Sequence, residues 1–368
     1  MFLIYYTNLL PPHKISGVQI RQYKGLFATK SFPIFVATKK SSMKHITILV
    51  TPGSNLASID TPRRAFLSVN EELKNKNESP LFKVEIAGSV KEIKLNNGIY
   101  TIHPDVEIKN LKKTDLVIIP AFEGDIKKGV EQNSDLIPWI IQQYRKGAEV
   151  ASLCVGAFLL AATGLVDGKS CSTHWRATND FKKMFPKVNL VPDKIVTDEN
   201  GIYTSGGAFS SSNLILYLIE KYAGREIAVH CSKTFQVDID RDSQSPFIIF
   251  KAQKDHNDIH IRKAQEFIEK NVHERISVDQ IASLLSIGRR NLERRFKKAT
   301  SNSLIEYMQR VKVEAAKQRF ETSTDNVNEV MYNVGYNDAK AFRNTFKRFT
   351  GLSPVGYRNK YNRDLVAV

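Results

Sequence analysis

Apolar residues follow two regimes along this chain. Up to about residue 237 short apolar runs alternate with amphipathic stretches, and beyond 258 apolar residues recur three and four apart. The first regime predicts strands over 46–50, 82–87, 116–120, 150–153, 195–197 and 202–205. Between them it predicts helices over 62–75, over 134–146 with Ser134 as cap, after 153 as far as Gly164, and over 211–223. Such alternation builds a mostly parallel sheet covered by helices. The second regime predicts a helix over 259–271, a long one through Leu304, Met308, Val311 and Ala315, and two pairs of short helices about fifty residues apart.

The two pairs are an internal repeat. One reads Val278, Ile281, Ala282, Leu285, a turn at Ile287-Gly288, then Leu292, Phe296 and Ala299. The other reads Val327, Val330, Met331, Val334, a turn at Gly335-Tyr336-Asn337, then Phe342, Phe346 and Phe349. With those apolar positions turned inward, a step of about 100° per residue sends Arg290, Arg294 and Lys297 to the far side of one helix. Arg289, Arg295 and Lys298 add charge there. In the other copy Lys340, Asn344 and Lys347 point outward with Arg343 beside them. A major groove admits one helix, Arg and Lys suit guanine edges, Asn suits adenine, and the remaining cations neutralise phosphates. Double-stranded DNA is the expected partner. Two merely solvated helices are the bland alternative, and matching cores with matching basic faces weigh against it.

Charge sharpens this picture. Of the net +16, residues 1–42 carry +6, residues 43–244 carry +1 and residues 245–368 carry +9, so the second excess coincides with the repeat. The 368 residues suffice for two cores. The expected layout is a basic, flexible leader over 1–42, an α/β domain over 43–237, a linker over 238–257 and a helical domain over 258–368. The polar stretch 238–245 offers little to bury. Cys154, Cys171 and Cys231 have no metal-ligand spacing, so no metal or cofactor is expected, and three cysteines suit a reducing cytoplasm. No apolar run is long enough to span a bilayer; the expectation is a soluble, cytoplasmic protein with no membrane partner.

The candidate chemistry outside the repeat lies at Cys154. The run Ser152-Leu153-Cys154-Val155-Gly156-Ala157 puts a cysteine on a sharp strand-to-helix turn, where backbone amides can favour a thiolate or bind an oxyanion. Twenty residues on, His174 offers an imidazole. The run 205–208, Ser-Gly-Gly-Ala, lacks the Lys and Ser/Thr of a phosphate loop and is expected to turn a strand into a helix.

The paired motif, carried by 281–296, 334–342, Phe346-Lys347-Arg348 and Gly351-Leu352-Ser353-Pro354, resembles the carboxy-terminal domain of the AraC family. The resemblance implies two helix-turn-helix units, tied by a long helix, in successive major grooves. Gly288 and Met331 stand where that family usually has Ser and Ala. The stretch around Cys154, with Gly164-Leu165-Val166-Asp167-Gly168 and Ser172-Thr173-His174-Trp175, resembles the ThiJ/PfpI-type, glutamine-amidotransferase-like fold, and the combination resembles the GlxA-like regulators. The expected fold class is therefore α/β, a ThiJ/PfpI-like (flavodoxin-like) parallel-sheet domain, followed by an all-α domain with two helix-turn-helix motifs. Arg64 stands where enzymatic relatives carry a Glu that hydrogen-bonds the Cys, and an Arg cannot share that proton near neutral pH. This points away from an enzyme and towards an effector pocket at Arg64, Cys154, Val155 and His174, suited to an anionic or amide-bearing ligand. The expected function is a sequence-specific transcriptional regulator, with effector sensing or dimerisation in the α/β domain. Its expected partners are DNA, an unknown small-molecule effector, a second copy of itself and RNA polymerase. The alternatives are a cysteine-dependent hydrolase or hydratase with a DNA-binding appendage, and a nonspecific architectural DNA binder.

Overall fold

The structure, a computed structural model, describes residues 43–251, 253–254 and 256–362. The leader expected over 1–42 lies outside the described residues. The chain runs from β1 (Lys44–Val50) through α1 (Ala57–Asn75), β2 (Phe82–Gly88), β3 (Ile93–Leu95), β4 (Tyr100–Ile102) and β5 (Val106–Glu107) to β6 (Leu116–Ile119). Next come α2 (Ile126–Gln132), α3 (Leu136–Arg145), β7 (Glu149–Ser152), α4 (Ala157–Ala162), β8 (Ser170–Cys171) and α5 (Thr178–Met184). Then follow β9 (Asn189–Leu190), β10 (Val196–Glu199), β11 (Ile202–Ser205), α6 (Ser211–Ala223) and α7 (Arg225–Phe235).

Seven strands pair in the order β10-β11-β7-β6-β1-β2-β5. Every pairing is parallel except that of β10 with β11. Side chains alternate between the faces, so Ile46, Ile48 and Val50 join α1, α6 and α7 on one side. Leu49, Val117, Ile119 and Val150 join α3 and α4 on the other. The α/β layering is as the pattern predicts, with two boundary corrections. α1 begins at Ala57 and carries Pro62 inside it, because the apolar stripe already starts at Ile59. Ser134 does not cap α3: its hydroxyl donates to the Glu131 carbonyl behind it, and α3 starts after Asp135.

The second half is all helix: α8 (Ile259–Lys270), α9 (Val278–Leu284), α10 (Arg289–Thr300), α11 (Leu304–Thr322), α12 (Val327–Asn333), α13 (Ala339–Thr350) and α14 (Pro354–Tyr361). The repeat is exact in length: α9 and α12 have seven residues each, and α10 and α13 twelve. Capping boxes open both first helices, Ser277 with Gln280 and Asn326 with Glu329. The turn between helices needs a left-handed residue, filled by Ser286 (φ 52°) in one copy and Gly335 (φ 72°) in the other. The expected turn residue Gly288 instead precedes α10 with φ −64° and makes no side-chain cap, whereas Asp338 caps α13 through the Lys340 and Ala341 amides. α11 belongs to both copies. Leu304 and Tyr307 lie in the first core, and Val313, Ala316 and Phe320 in the second.

The expected linker is not idle. Gln244 is only 2% exposed, and its amide nitrogen donates to the carbonyls of Thr173 (2.9 Å) and Lys194 (3.1 Å). Its amide oxygen accepts from Gly207 N at 3.3 Å. A few residues on, Lys317 of α11 donates to the Ile248 carbonyl (2.7 Å) and Phe250 N donates to Glu314 (3.1 Å). One short strap thus bonds to both halves.

Candidate functional site

The basic face is built by helix periodicity on two small cores. Leu292 and Phe296 of α10, and Phe342 and Phe346 of α13, are buried. Arg289, Arg290, Arg294, Lys297, Lys340, Arg343, Asn344 and Lys347 are all exposed. Their surroundings separate them. Arg289 is held by Asp279 (3.1 Å) and Glu293 (3.3 Å), and Arg294 donates to Asn291 at 3.0 Å. The side chains of Arg290, Lys297, Lys340, Arg343 and Lys347 make no ion pair or hydrogen bond with other described residues. Arg295, expected to add to this face, turns back to Asp258 at the start of α8, with contacts of 2.6 and 2.9 Å. That pair holds the Asp258 carboxyl below its usual range. Arg295 therefore fastens α10 to α8.

At the other site the chain leaves β7 and reverses at Cys154 with φ 54°, a left-handed value that costs a non-glycine residue roughly 1–2 kcal/mol. A second such residue, Ala208 (φ 51°), faces it from the turn after β11. The backbone amides of Ala208 and Val155 favour the Cys154 thiolate, but burial outweighs them and pushes the thiol up. The elbow is pinned by Ser205, whose hydroxyl accepts from Cys154 N (3.2 Å), and by Thr173, whose hydroxyl donates to the Cys154 carbonyl (3.0 Å).

His174 reaches the same place from the other side. Its ring lies so close to Gly207 that a Cβ there would sit 2.1 Å from Cδ2. Its Nδ1 accepts from Arg176 N at 3.1 Å, which leaves the neutral imidazole with its proton on Nε2. Burial lowers the His174 pKa, with Arg176 adding repulsion.

Cys154, Val155 and His174 are thus brought together around the Gly207-Ala208 peptide. Arg64 is not: its side chain is 71% exposed on α1 and pairs with Asp60 at 4.0 Å. Its position falls on the outer face of α1, because that helix turns Pro62, Ala65 and Phe66 inward. Ala208 and Gln244 were missed. The Gly-Gly before Ala208 was the available signal for close backbone approach, whereas nothing local marks Gln244.

Residues 281–360 match the helix-turn-helix domain family, and residues 61–221 match the DJ-1/PfpI family. The chain is 27% identical to the HTH-type transcriptional regulator GbdR of Pseudomonas aeruginosa over 254 residues, which span 69% of this chain and 68% of that one. It is 24% identical to the HTH-type transcriptional regulator GlxA of Rhizobium meliloti over 217 residues, 59% of this chain and 67% of that one. Isonitrile hydratase of Pseudomonas putida is 25% identical over 129 residues, 34% of this chain and 54% of the enzyme.

Proposed function

From the premise that this chain is an AraC-type transcriptional regulator with a DJ-1/PfpI-family domain, we propose that α10 and α13 enter successive major grooves and that a small molecule at the elbow tunes how well they do so. The observation that carries the first part is the equal pair of helices, each with its aromatic or aliphatic side buried and, outside, cations without a partner among the described residues. The 19-residue α11 between them is roughly 28 Å long at 1.5 Å per residue, close to the turn of about 34 Å that separates groove segments on one face. Arg290, Arg294, Arg343 and Asn344 are the base-reading candidates. Lys297, Lys340 and Lys347 meet phosphates, and Arg289 joins them only by leaving its carboxylates.

The elbow amides of Val155 and Ala208, with the His174 Nε2–H, suit an anionic or amide-bearing effector. Such a ligand would press on the 173–174 and 207–208 segments, and both are tied to Gln244. The strap then passes the shift to α11 through Ile248 and Phe250. A ligand that binds one arrangement better shifts the balance between DNA-competent and incompetent states by its differential affinity. A homodimer and a contact with RNA polymerase belong to the same proposal, on kinship alone.

A cysteine hydrolase or hydratase is the second reading, favoured by the two amides at the sulfur and by the likeness to isonitrile hydratase. It requires a thiolate, and the burial of Cys154 works against one.

Retention of sheared genomic fragments by the purified chain, with and without small molecules extracted from cells, tests the proposal. Enrichment of a few sites that changes with the extract supports it. Uniform retention at physiological salt contradicts it.

A further inference from the structure

The two helix-turn-helix units have separate cores, so their relative placement rests on α11 and on whatever joins them beside it. One such junction stands out. Lys312, near the middle of α11, is half-buried, and its ammonium donates to the carbonyls of Val334 (2.8 Å) and Glu274 (2.8 Å), with that of Gly335 at 3.5 Å. Glu274 lies between α8 and α9, in the first unit. Val334 is the residue that caps the end of α12, and Gly335 is the left-handed turn residue of the second unit.

The backbones meet closely at this point. A Cβ on Gly335 would lie 2.5 Å from the His273 carbonyl oxygen and 2.5 Å from Lys312 Nζ. Glycine is therefore required both for its φ of 72° and for this approach. The Tyr336 ring, centred 5.6 Å from Nζ, closes the junction from the side. The carbonyl at the end of a helix carries partial negative charge, so a lysine there is favoured by the α12 dipole as well as by its hydrogen bonds.

We infer that Lys312 is a positioning residue, clamping the turn of the second unit to the α8–α9 segment of the first and so fixing the half-site spacing that the protein accepts. The inference rests on the reading that α10 and α13 both enter the duplex. A point cation joined to backbone carbonyls of both units resists rotation about α11, which the separate apolar cores do not. Shifting one half-site by a base pair rotates it about a tenth of a turn around the duplex, and a rigid pair of units cannot follow.

The experiment compares the full-length wild type with Lys312→Met and Lys312→Arg on duplexes holding the selected site, the same site with its spacer changed by one or two base pairs, and a single half-site. Melting of each protein is recorded alongside. For the wild type, a one-base-pair change should cost about tenfold or more, because the second unit no longer binds as a tethered partner. In Lys312→Met that penalty should shrink to about threefold or less, with half-site affinity unchanged. Lys312→Arg, which keeps the donors and charge, should restore most of the spacing preference. A Lys312→Met protein that keeps the full penalty, or that weakens single half-site and full site by the same factor, overturns the inference. If Lys312→Met does not fold, Lys312→Arg with wild-type melting but no spacing preference overturns it equally. A wild type indifferent to spacing defeats the two-groove reading itself, a result distinct from failure of the clamp.

Discussion

Replacing Arg290 and replacing Lys347 should have different consequences, and the difference tests whether α10 reads bases. Arg290 stands in the first turn of α10, exposed and without a partner among the described residues, where an N-terminal residue of a recognition helix meets base edges. Loss of a bidentate guanine contact costs about 1–3 kcal/mol, or roughly five- to 150-fold on the preferred site. Lys347, on the last turn of α13, is proposed to meet a phosphate. If Lys297, Lys298, Lys340 and Lys347 each neutralise one phosphate, counterion release gives a log–log salt slope of about −3.6 per chain. Lys347→Ala should flatten that slope by about 0.9 and weaken specific and random duplexes by similar factors. Arg290→Ala should lower affinity for the selected site while leaving random duplex within about threefold, so the specificity ratio collapses towards the random level. Fluorescence anisotropy titrations at several salt concentrations measure both quantities. Equal weakening of site and random duplex by Arg290→Ala would refute the assignment of the reading face.

Three further outcomes follow from the geometry. Gln244→Ala leaves the Gly207 amide and the Thr173 and Lys194 carbonyls without their buried partner, so unfolding in urea should show a loss of about 1–3 kcal/mol; an unchanged midpoint would mean that the strap is not seated there. Burial raises Cys154, Cys171 (to about 12) and Cys231 (to about 11), so alkylation of the native chain at pH 7.5 should be slower than that of glutathione at all three thiols and become fast only on unfolding. Stoichiometric rapid labelling of Cys154 would favour the enzymatic reading instead. Asp258 is depressed chiefly by its hydrogen bond from Arg295, so its stabilising contribution is fully present above the ordinary carboxylate range near pH 4 and is lost as pH falls through the lower native value. Arg295→Ala should therefore lower the stability of the helical half at pH 6 and leave a shallower decline between about pH 4 and 2; parallel acid profiles for the two proteins would argue against the pair.

Periodicity made the helical half legible because each helix buries one stripe. Leu292 with Phe296, and Phe342 with Phe346, fix which side is inward, and the cations opposite follow by geometry. The same logic failed for Arg295, since its position on the helix does not reveal that Asp258 of another helix waits beside it. In the α/β half the buried strands were readable as apolar runs, but β3, β8 and β9 have only two or three residues, too few to carry a period. The cysteine elbow was legible from Ser152 to Ala157, where small residues flank a strand end. Its surroundings were not, because Ala208 and Gln244 arrive from 54 and 90 residues further along the chain and act through backbone or amide contacts that no local pattern announces. Arg64 was misplaced for the opposite reason. Residue order after β1 carries no information on the phase of the helix, and burial of Pro62, Ala65 and Phe66 turns Arg64 to the surface.

The most direct test of the central claim is selection of binding sites from a random duplex pool by the wild type, Arg290→Ala and Arg343→Ala. The wild type should enrich two short half-sites about one helical turn apart, with each variant relaxing the bases of one half-site and leaving the other intact. Recovery of no common sequence, or loss of the same bases in both variants, would contradict a regulator that reads DNA through both α10 and α13.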